Sequence, residues 1–139
     1  MQPAVETATA CDAGDVIALW QACGLTRPWN DPKADFDLAL ATPTSTILLF
    51  RDGTRIVASV MAGFDGHRGW VYYLAVDPAC QRRGLGGQLM AAAESWLRTH
   101  GSPKIQLMVR HDNSDATAFY RSLGYEVQEV ITIGRRLDQ

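Results

Sequence analysis

Residues 81–87 read Gln-Arg-Arg-Gly-Leu-Gly-Gly, and they join a strand-like run at 69–76 to an amphipathic, helix-like run at 85–99. A helix that begins at such a turn leaves its first backbone N–H groups unpaired and carries about half an elementary positive charge at that end. Glycines let a pyrophosphate approach these N–H groups without interference from a Cβ atom. Arg82 and Arg83 add positive charge, so the segment predicts a phosphate-binding turn.

Better-known phosphate-binding and catalytic motifs do not account for this turn. A dinucleotide-binding fingerprint requires a further glycine where Leu89 stands, and a P-loop requires a Gly-Lys pair that the sequence lacks. The Gly-x-Ser-x-Gly elbow of serine hydrolases and the His-Glu-x-x-His zinc motif are also missing. Taken alone, the turn is also compatible with a flexible loop that carries two solvated arginines.

The hydrophobic pattern on both sides of the turn predicts an α/β fold with a mixed sheet. Strands are predicted at 5–9, 45–50, 55–64, 69–76 and 105–109, with one or two closing strands at 125–136. Helices are predicted after Asp12, after Asp31, over 85–99, and after Asp112 or Asn113. Turns at Asp52-Gly53 and Asp65-Gly66 require antiparallel pairing, whereas the strand–helix–strand order after residue 70 requires parallel pairing. We expect a central, mostly antiparallel sheet with helices on both faces.

Length and composition indicate one globular domain over residues 1–139. Apolar residues make up 47% and charged residues 20% of the 139 residues, which excludes a disordered chain. The formal net charge of -2 gives no general attraction to nucleic acid, and no apolar run is long enough for a membrane span. Three scattered cysteines predict neither a disulfide framework nor a zinc site, and the N-terminus does not look like a secretion signal. We therefore expect a cytoplasmic protein without a metal.

A second motif follows the strand predicted at 105–109. Residues 113–125 read Asn-Ser-Asp-Ala-Thr-Ala-Phe-Tyr-Arg-Ser-Leu-Gly-Tyr. Together with residues 81–87, this motif resembles the GNAT superfamily of N-acetyltransferases, and the resemblance extends over nearly the whole chain. Residues 27–32 and 64–69 are also similar to a bacterial subgroup, the YpeA-like acetyltransferases. The resemblance implies a GNAT-type fold and acetyl-coenzyme A (acetyl-CoA) as the cosubstrate.

The resemblance also implies which residues bind acetyl-CoA. Backbone groups of Leu74, Ala75 and Val76 would contact the thioester and the pantetheine arm, in a gap where parallel strands at 70–76 and 105–110 separate. The pyrophosphate would be held by the amides of the turn, namely those of Arg82, Arg83, Gly84, Leu85, Gly86 and Gly87. Asn113 would contact the pantetheine or the diphosphate, although the same side chain suits a helix cap.

Acetyl transfer to an amine requires a neutral amine, a donor to the thioester oxygen and a proton for the leaving thiolate. By resemblance, the Val76 N–H would stabilise the oxyanion, and Tyr120 would contact the cosubstrate near its sulfur, where its hydroxyl would be the general acid. A tyrosine with a pKa of about 10 suits this donation better than it suits proton abstraction at neutral pH. The structural alternative is that Tyr120 is a core residue beside Phe119.

The resemblance does not supply a proton acceptor. Relatives that acetylate the N-termini of ribosomal proteins have a glutamate where this chain has Met108, and a thioether cannot accept a proton. One explanation is that the acceptor loses its proton through water, since an α-amino group has a pKa of only about 8. The other is that Asp65, His67 or Asp31 serves as the base, although His67 also suits a plain turn residue.

The proline-containing loop at 27–32 is the predicted acceptor-binding segment, with Asp65 and His67 as further candidates. Arg27, Trp29 and Asp31 place a cation, an aromatic ring and an anion on this loop, unless Trp29 only anchors the loop on the core. The leading hypothesis is an N-acetyltransferase that acts on a primary amine of a protein N-terminus, a peptide or a small molecule. The alternatives are a catalytically weak acyl-CoA sensor and a partner-binding domain. The family resemblance also implies that a homodimer is common.

Overall fold

The computed structural model describes residues 4–138, which form two compact units; the first ends at Met108 and the second begins at Val109. The first unit contains, in chain order, β1 (Glu6–Thr7), α1 (Ala13–Ala22), α2 (Pro32–Ala41), β2 (Ser45–Asp52), β3 (Arg55–Phe64), β4 (Gly69–Val76), α3 (Leu85–Thr99) and β5 (Ile105–Leu107). Short 3-10 turns lie at Ala10–Asp12 and Pro78–Cys80. The second unit contains α4 (Ser114–Ser122).

The strands of the first unit form one sheet in the order β1-β2-β3-β4-β5. Neighbours from β1 to β4 pair antiparallel, and β4 pairs with β5 in parallel. The glycines of the two predicted hairpin turns, Gly53 and Gly66, have φ angles of 67° and 92°, which residues other than glycine rarely adopt. The prediction of a mixed, mostly antiparallel sheet is confirmed, although β1 and β5 are shorter than predicted.

Helices cover both faces of this sheet. Alternation along β2 directs Ile47 and Leu49 to one face and Leu48 and Phe50 to the other, and all four side chains are buried. Ile47 and Leu49 share a core with residues of α1 and α2. The helix α3 packs against β3 and β4 and buries a stripe of side chains that includes Leu89. Because α1 and α2 cover the face that carries Ile47 and Leu49, α3 covers the opposite face of the sheet. The predicted arrangement of helices on both faces is therefore confirmed.

Local capping sets two helix starts that the sequence predicts. The Asp31 side chain accepts hydrogen bonds from two backbone N–H groups in the first turn of α2, at 3.0 and 3.2 Å. Asn113, rather than Asp112, caps α4, since its side chain accepts a hydrogen bond from the Ala116 N–H at 3.1 Å. Both side chains satisfy backbone donors that have no partner within their helix.

Asp12 is predicted to cap α1, but its side chain has a different role. Its carboxylate accepts hydrogen bonds from the backbone N–H of Thr9 at 2.9 Å and from the Arg51 guanidinium at 2.6 Å. The reason is that a 3-10 turn at Ala10–Asp12 ends at Asp12, directly before α1 begins at Ala13. The hydrogen bond from Arg51 holds the pKa of Asp12 below its usual range.

The second unit is less regular than predicted. The helix α4 is present, and Gly124, with a φ of 93°, lies just after its end. No strand is assigned to residues 125–136 within the described part of this unit, residues 109–138. A β-strand forms hydrogen bonds with a neighbouring strand, and the second unit contains α4 but no such neighbour among its described residues. The predicted closing strands are therefore absent from this unit. None of the helices in residues 4–138 combines the length and hydrophobicity needed to span a membrane.

Gly69, at the start of β4, occupies a site that excludes a larger residue. A Cβ atom there would lie 2.8 Å from Leu97 Cδ1, from the Lys104 carbonyl oxygen and from Ser102 Oγ. The backbone carbonyl cannot move aside easily, so Gly69→Ala should destabilise the fold by about 1–3 kcal/mol. Urea unfolding followed by circular dichroism measures this change as a lower midpoint.

The matched control for Gly69→Ala is Gly14→Ala on the exposed face of α1. A Cβ atom at Gly14 would have no neighbour within 4 Å, and alanine is the better helix former by up to about 1 kcal/mol. Gly14→Ala should therefore leave the midpoint unchanged or raise it. Equal midpoints for the two variants would contradict the tight packing at Gly69.

Candidate active site

The central feature of the first unit is a β-bulge in β4. Ser59 pairs with Ala75 and Met61 pairs with Tyr72, so two residues of β4, Tyr73 and Leu74, oppose one residue of β3. Tyr73 has a φ of 54°, in the left-handed region that bulky side chains seldom occupy. A bulge bends its strand and interrupts the regular ladder, which re-aims the backbone that follows. This backbone is the segment from Leu74 to Val76.

The pairing of β4 with β5 ends before the bulge. The parallel register runs from Gly69 with Ile105 to Val71 with Leu107, whereas β4 itself continues to Val76. Within residues 4–108, no residue of β5 pairs with the stretch 72–76. The parallel neighbours predicted from the resemblance are therefore present, and their pairing ends where the predicted gap begins.

The far end of β4 is held by two side chains to which the sequence interpretation gave no separate role. The Cys23 thiol, just after α1, donates to the Val76 carbonyl oxygen at 3.3 Å, and Gln81 Nε2 donates to the same oxygen at 3.5 Å. Burial raises the pKa of the Cys23 thiol, so it remains a protonated donor at neutral pH. Both contacts fix the peptide that follows Val76.

The turn at 81–87 has the backbone of an anion-binding site. Arg82 and Gly84 have left-handed φ angles of 68° and 75°, and Gly84 is the N-cap of α3. The hydrogen-bond ladder of α3 begins with the Gln88 N–H, which donates to the Gly84 oxygen at 3.1 Å. The N–H groups of 85–87 thus precede the ladder, and left-handed residues in such a turn create a concave nest of N–H groups. The arrangement suits a phosphate group.

The predicted acceptor loop at 27–32 is largely held by its own contacts. Arg27 Nη1 donates to the carbonyl oxygens of Gly24 and Thr26 at 2.7 and 2.9 Å, which closes the loop onto itself. Asp31 caps α2, as described above. Trp29 and Asp31 are both exposed, and 54% of the surface of Trp29 is accessible. Trp29 therefore offers an open aromatic surface to a ligand.

Asp65 and His67 lie on the exposed hairpin tip between β3 and β4. The Asp65 carboxylate accepts hydrogen bonds from the backbone N–H groups of His67 and Arg68 at 2.8 and 2.7 Å, and from Trp70 Nε1 at 3.3 Å. These donors, the backbone N–H of Arg68 foremost, hold the pKa of Asp65 below its usual range. A carboxylate so stabilised is a weak proton acceptor, and its contacts fit a turn-stabilising role.

A pair that the sequence interpretation missed joins α2 to the bulge of β4. The Tyr73 hydroxyl donates to Asp35 Oδ2 at 2.7 Å, and Asp35 lies in the first turn of α2. The Tyr73 ring stacks on the buried Trp20 ring, with centroids 4.0 Å apart and an interplanar angle of 7°. Burial and the adjacent carboxylate raise the pKa of Tyr73 above its usual value, so the hydroxyl remains a donor.

The second unit contains Asn113 and Tyr120. The capping reading of Asn113 is confirmed by its bond to the Ala116 N–H. Tyr120 packs edge-on against the rings of Phe119 and Tyr125, with centroids 5.0 and 6.0 Å away. Burial raises the pKa of Tyr120 to about 12, which keeps its hydroxyl protonated under ordinary conditions.

No group of three or more His, Cys, Asp or Glu side chains within residues 4–138 is placed to hold a metal ion.

Comparison with known sequences identifies the family. The model of the acetyltransferase (GNAT) family matches residues 15–125. An acetyltransferase of Pectobacterium atrosepticum is 45% identical over 122 residues, which cover 88% of this chain and 86% of that protein. An acetyltransferase of Yersinia enterocolitica is 43% identical over 126 residues, which cover 91% and 89% of the two chains.

Solved structures share the fold. The structure of AAC(6')-Iy in complex with the bisubstrate analogue CoA-S-monomethyl-acetylneamine has a TM-score of 0.83 and 15% identity, over 98% of this chain and 99% of that one. A putative acetyltransferase from Agrobacterium tumefaciens has a TM-score of 0.80 and 20% identity, over 96% and 99% of the two chains. The fold likeness agrees with the sequence matches, and the chain belongs to the GNAT family of acetyltransferases.

Proposed function

We propose that the protein transfers an acetyl group from acetyl-CoA to a primary amine of a protein N-terminus, a peptide or a small molecule. The observation that carries this proposal is the bulged strand β4 followed directly by a left-handed turn at the start of α3. Such a sequence of elements supplies free backbone groups for a thioester arm and then a nest for a diphosphate. The solved structure of a fold neighbour in complex with a CoA-based bisubstrate analogue supports acetyl-CoA as the cosubstrate.

In this proposal the chain binds the cosubstrate chiefly through its backbone. Leu74, Ala75 and Val76 contact the thioester and the pantetheine arm. The pyrophosphate is bound by the turn, through Arg82, Arg83, Gly84, Leu85, Gly86 and Gly87. Asn113 already uses its side-chain oxygen to cap α4, so its contact with the pantetheine or diphosphate falls to the side-chain nitrogen.

The proposed reaction is a direct transfer. The amine nitrogen attacks the thioester carbonyl carbon and forms a C–N bond, while the Val76 N–H stabilises the negative charge on the carbonyl oxygen. The C–S bond then breaks, and the departing thiolate takes the proton of the Tyr120 hydroxyl. The amine passes its proton to water, and solvent returns a proton to Tyr120.

We favour loss of the amine proton to water, and His67, exposed on the hairpin tip, is the alternative base. Met108 is 53% exposed at the end of β5, and its thioether cannot accept a proton. Asp65 and Asp31 are occupied as hydrogen-bond acceptors of a turn and of a helix cap. An α-amino group with a pKa of about 8 is partly neutral at physiological pH and needs little help.

The raised pKa of Tyr120 predicts the pH dependence of kcat. A general acid acts in its protonated form, so its contribution is lost only as the pH rises through its pKa. Because burial raises the pKa of Tyr120 to about 12, kcat at saturating substrates should not fall between about pH 8 and pH 10. A tyrosine at its ordinary pKa of about 10 would lose half of this contribution by pH 10. A wild-type kcat profile that falls with an apparent pKa near 10 would count against the buried acid.

The function is tested by incubating the protein with acetyl-CoA and a mixed library of peptides and polyamines. Mass spectrometry should find acetylated amines, and a thiol reagent should detect an equal amount of free coenzyme A. Binding of acetyl-CoA without acceptor-dependent thiol release would favour the second candidate, an acyl-CoA sensor. Met108, in the position where the base of some relatives stands, is the feature that motivates this second candidate.

Two further expectations belong to the proposal. The cysteines Cys11, Cys23 and Cys80 form no disulfide within residues 4–138, which suits the reducing conditions of the cytoplasm.

We also propose a homodimer, as the family resemblance implies. Size-exclusion chromatography with light scattering tests the dimer, and a single species at 15.3 kDa would rule it out.

A further inference from the structure

We propose that Asp35, positioned by Tyr73, binds a second, non-reacting ammonium group of the acceptor, so that the preferred acceptors are amines that carry an additional positive charge. This inference rests on the proposed function and specifies the class of its acceptor. The structural alternative is that the pair only ties α2 to the sheet.

The first argument is position. Tyr73 directly precedes Leu74, the first of the residues proposed to contact the thioester arm, and its hydroxyl reaches Asp35 Oδ2 at 2.7 Å. The hydrogen bond therefore joins the Asp35 carboxylate to the bulge of β4 from the side of α2. A charged group of an acceptor at this carboxylate would lie close to the segment that presents the thioester.

The second argument is charge. Within residues 4–138, the hydrogen bond from Tyr73 is the only one that the Asp35 side chain receives, and no cationic side chain pairs with it. Asp37, two residues further along α2, instead pairs with Lys33 at the surface. Asp35 is half-buried, and a partly desolvated carboxylate without a cation attracts a positively charged ligand more strongly than an exposed one does.

The third argument is rigidity. Tyr73 has a left-handed φ of 54°, and its ring is held flat against the buried Trp20. Trp20 in turn donates from Nε1 to Ser59 Oγ at 3.2 Å, inside the core. A strained backbone that the surrounding packing holds in place is typical of binding and catalytic sites. The Tyr73 hydroxyl thus orients one carboxylate oxygen and leaves Oδ1 for a ligand.

The chemistry of the reaction selects which amine binds there. The nitrogen that attacks the thioester must be neutral, whereas a carboxylate favours an ammonium. One nitrogen cannot satisfy both requirements at once, so the group at Asp35 is a different, protonated amine of the same molecule. Diamines, polyamines and peptides with a nearby basic side chain have this property.

The test compares two isosteric variants on the same helix. Asp35→Asn removes the charge but keeps an oxygen that accepts the Tyr73 hydrogen bond, and Asp37→Asn removes a charge that has no proposed role. The probes are 1,5-diaminopentane and pentylamine, which differ only in the second amino group. Steady-state kinetics gives KM and kcat for each amine, and calorimetry gives the affinity for acetyl-CoA.

For the diamine, Asp35→Asn should raise KM about tenfold or more, the loss expected for a charge-assisted hydrogen bond. Its KM for pentylamine and its affinity for acetyl-CoA should change by less than about twofold. Tyr73→Phe should raise KM for the diamine by a smaller factor, because the carboxylate remains but is no longer oriented. Asp37→Asn should resemble the wild-type protein in each measurement.

Two results would overturn the inference. The first is an equal KM for the diamine in the Asp35→Asn and Asp37→Asn variants. The second is a parallel loss with both amines and a lower melting temperature in Asp35→Asn, which would assign the pair to stability. If the wild-type protein acetylates neither of these amines nor any member of the peptide and polyamine library, the proposed function fails instead. The inference is then decided by calorimetry of 1,5-diaminopentane with CoA-loaded protein, where absent or equal binding in the two variants rejects it.

Discussion

Tyr120→Phe should lower kcat by about 10²- to 10⁴-fold, the usual contribution of a general acid. Phenylalanine retains the edge-on packing against Phe119 and Tyr125 but has no proton for the departing thiolate. The affinity for acetyl-CoA should change little, because binding is assigned chiefly to backbone groups of residues 74–76 and 82–87. Stopped-flow or steady-state release of free thiol measures kcat, and calorimetry measures the affinity.

The control for this variant is Tyr125→Phe, which removes a hydroxyl from the neighbouring ring of the same aromatic cluster. Its kcat should stay within about twofold of the wild-type value, as for most substitutions that leave the packing intact. Equal turnover in Tyr120→Phe and Tyr125→Phe would remove Tyr120 from the mechanism and leave it as a packing residue.

Gly84→Val should weaken the binding of acetyl-CoA by about tenfold to a hundredfold, the equivalent of one or two hydrogen bonds to a charged group. Gly84 has a φ of 75°, and a β-branched residue is strained by about 1–2 kcal/mol in this region. When the backbone moves to relieve this strain, the N–H groups of residues 85–87 turn away from the diphosphate. Calorimetric titration with acetyl-CoA measures the effect.

Gly101→Val separates loss of the phosphate site from backbone strain. Gly101 follows α3 at its other end, has a left-handed φ of 87°, and has no atom within 4 Å of an added Cβ. This variant should lose a similar amount of unfolding free energy yet keep its affinity for acetyl-CoA within about twofold. If both variants bind acetyl-CoA equally well, the turn at 81–87 is not the diphosphate site.

Local chemistry explains why much of the fold was predictable. The bounds of α3, β3 and β4 agree with the prediction, since each lies between turn glycines or capping side chains that act over a few residues. Asp31 as the cap of α2 and the glycine turn before α3 were found for the same reason. These features depend on neighbours in the chain, so the order of residues alone specifies them.

The acceptor residues stay predictions, and the structure shows which contacts each of them already makes. Arg27, Asp31 and Asp65 were chosen for their residue types, but their hydrogen bonds serve a loop, a helix cap and a turn. Trp29, with 54% of its surface exposed, offers an open aromatic surface. Residue type predicts what a side chain can do, whereas the contacts that it already makes decide whether it is available.

The sequence by itself therefore determined the family, the mixed sheet and the glycine turn before α3, because short motifs and periodicity encode them. Only the tertiary structure revealed the bulge in β4 and the hydrogen bond from Tyr73 to Asp35, two residues separated by 38 positions in the chain. Such a contact depends on how β3, β4 and α2 pack together, and packing between distant elements leaves no periodic signal in the order of residues.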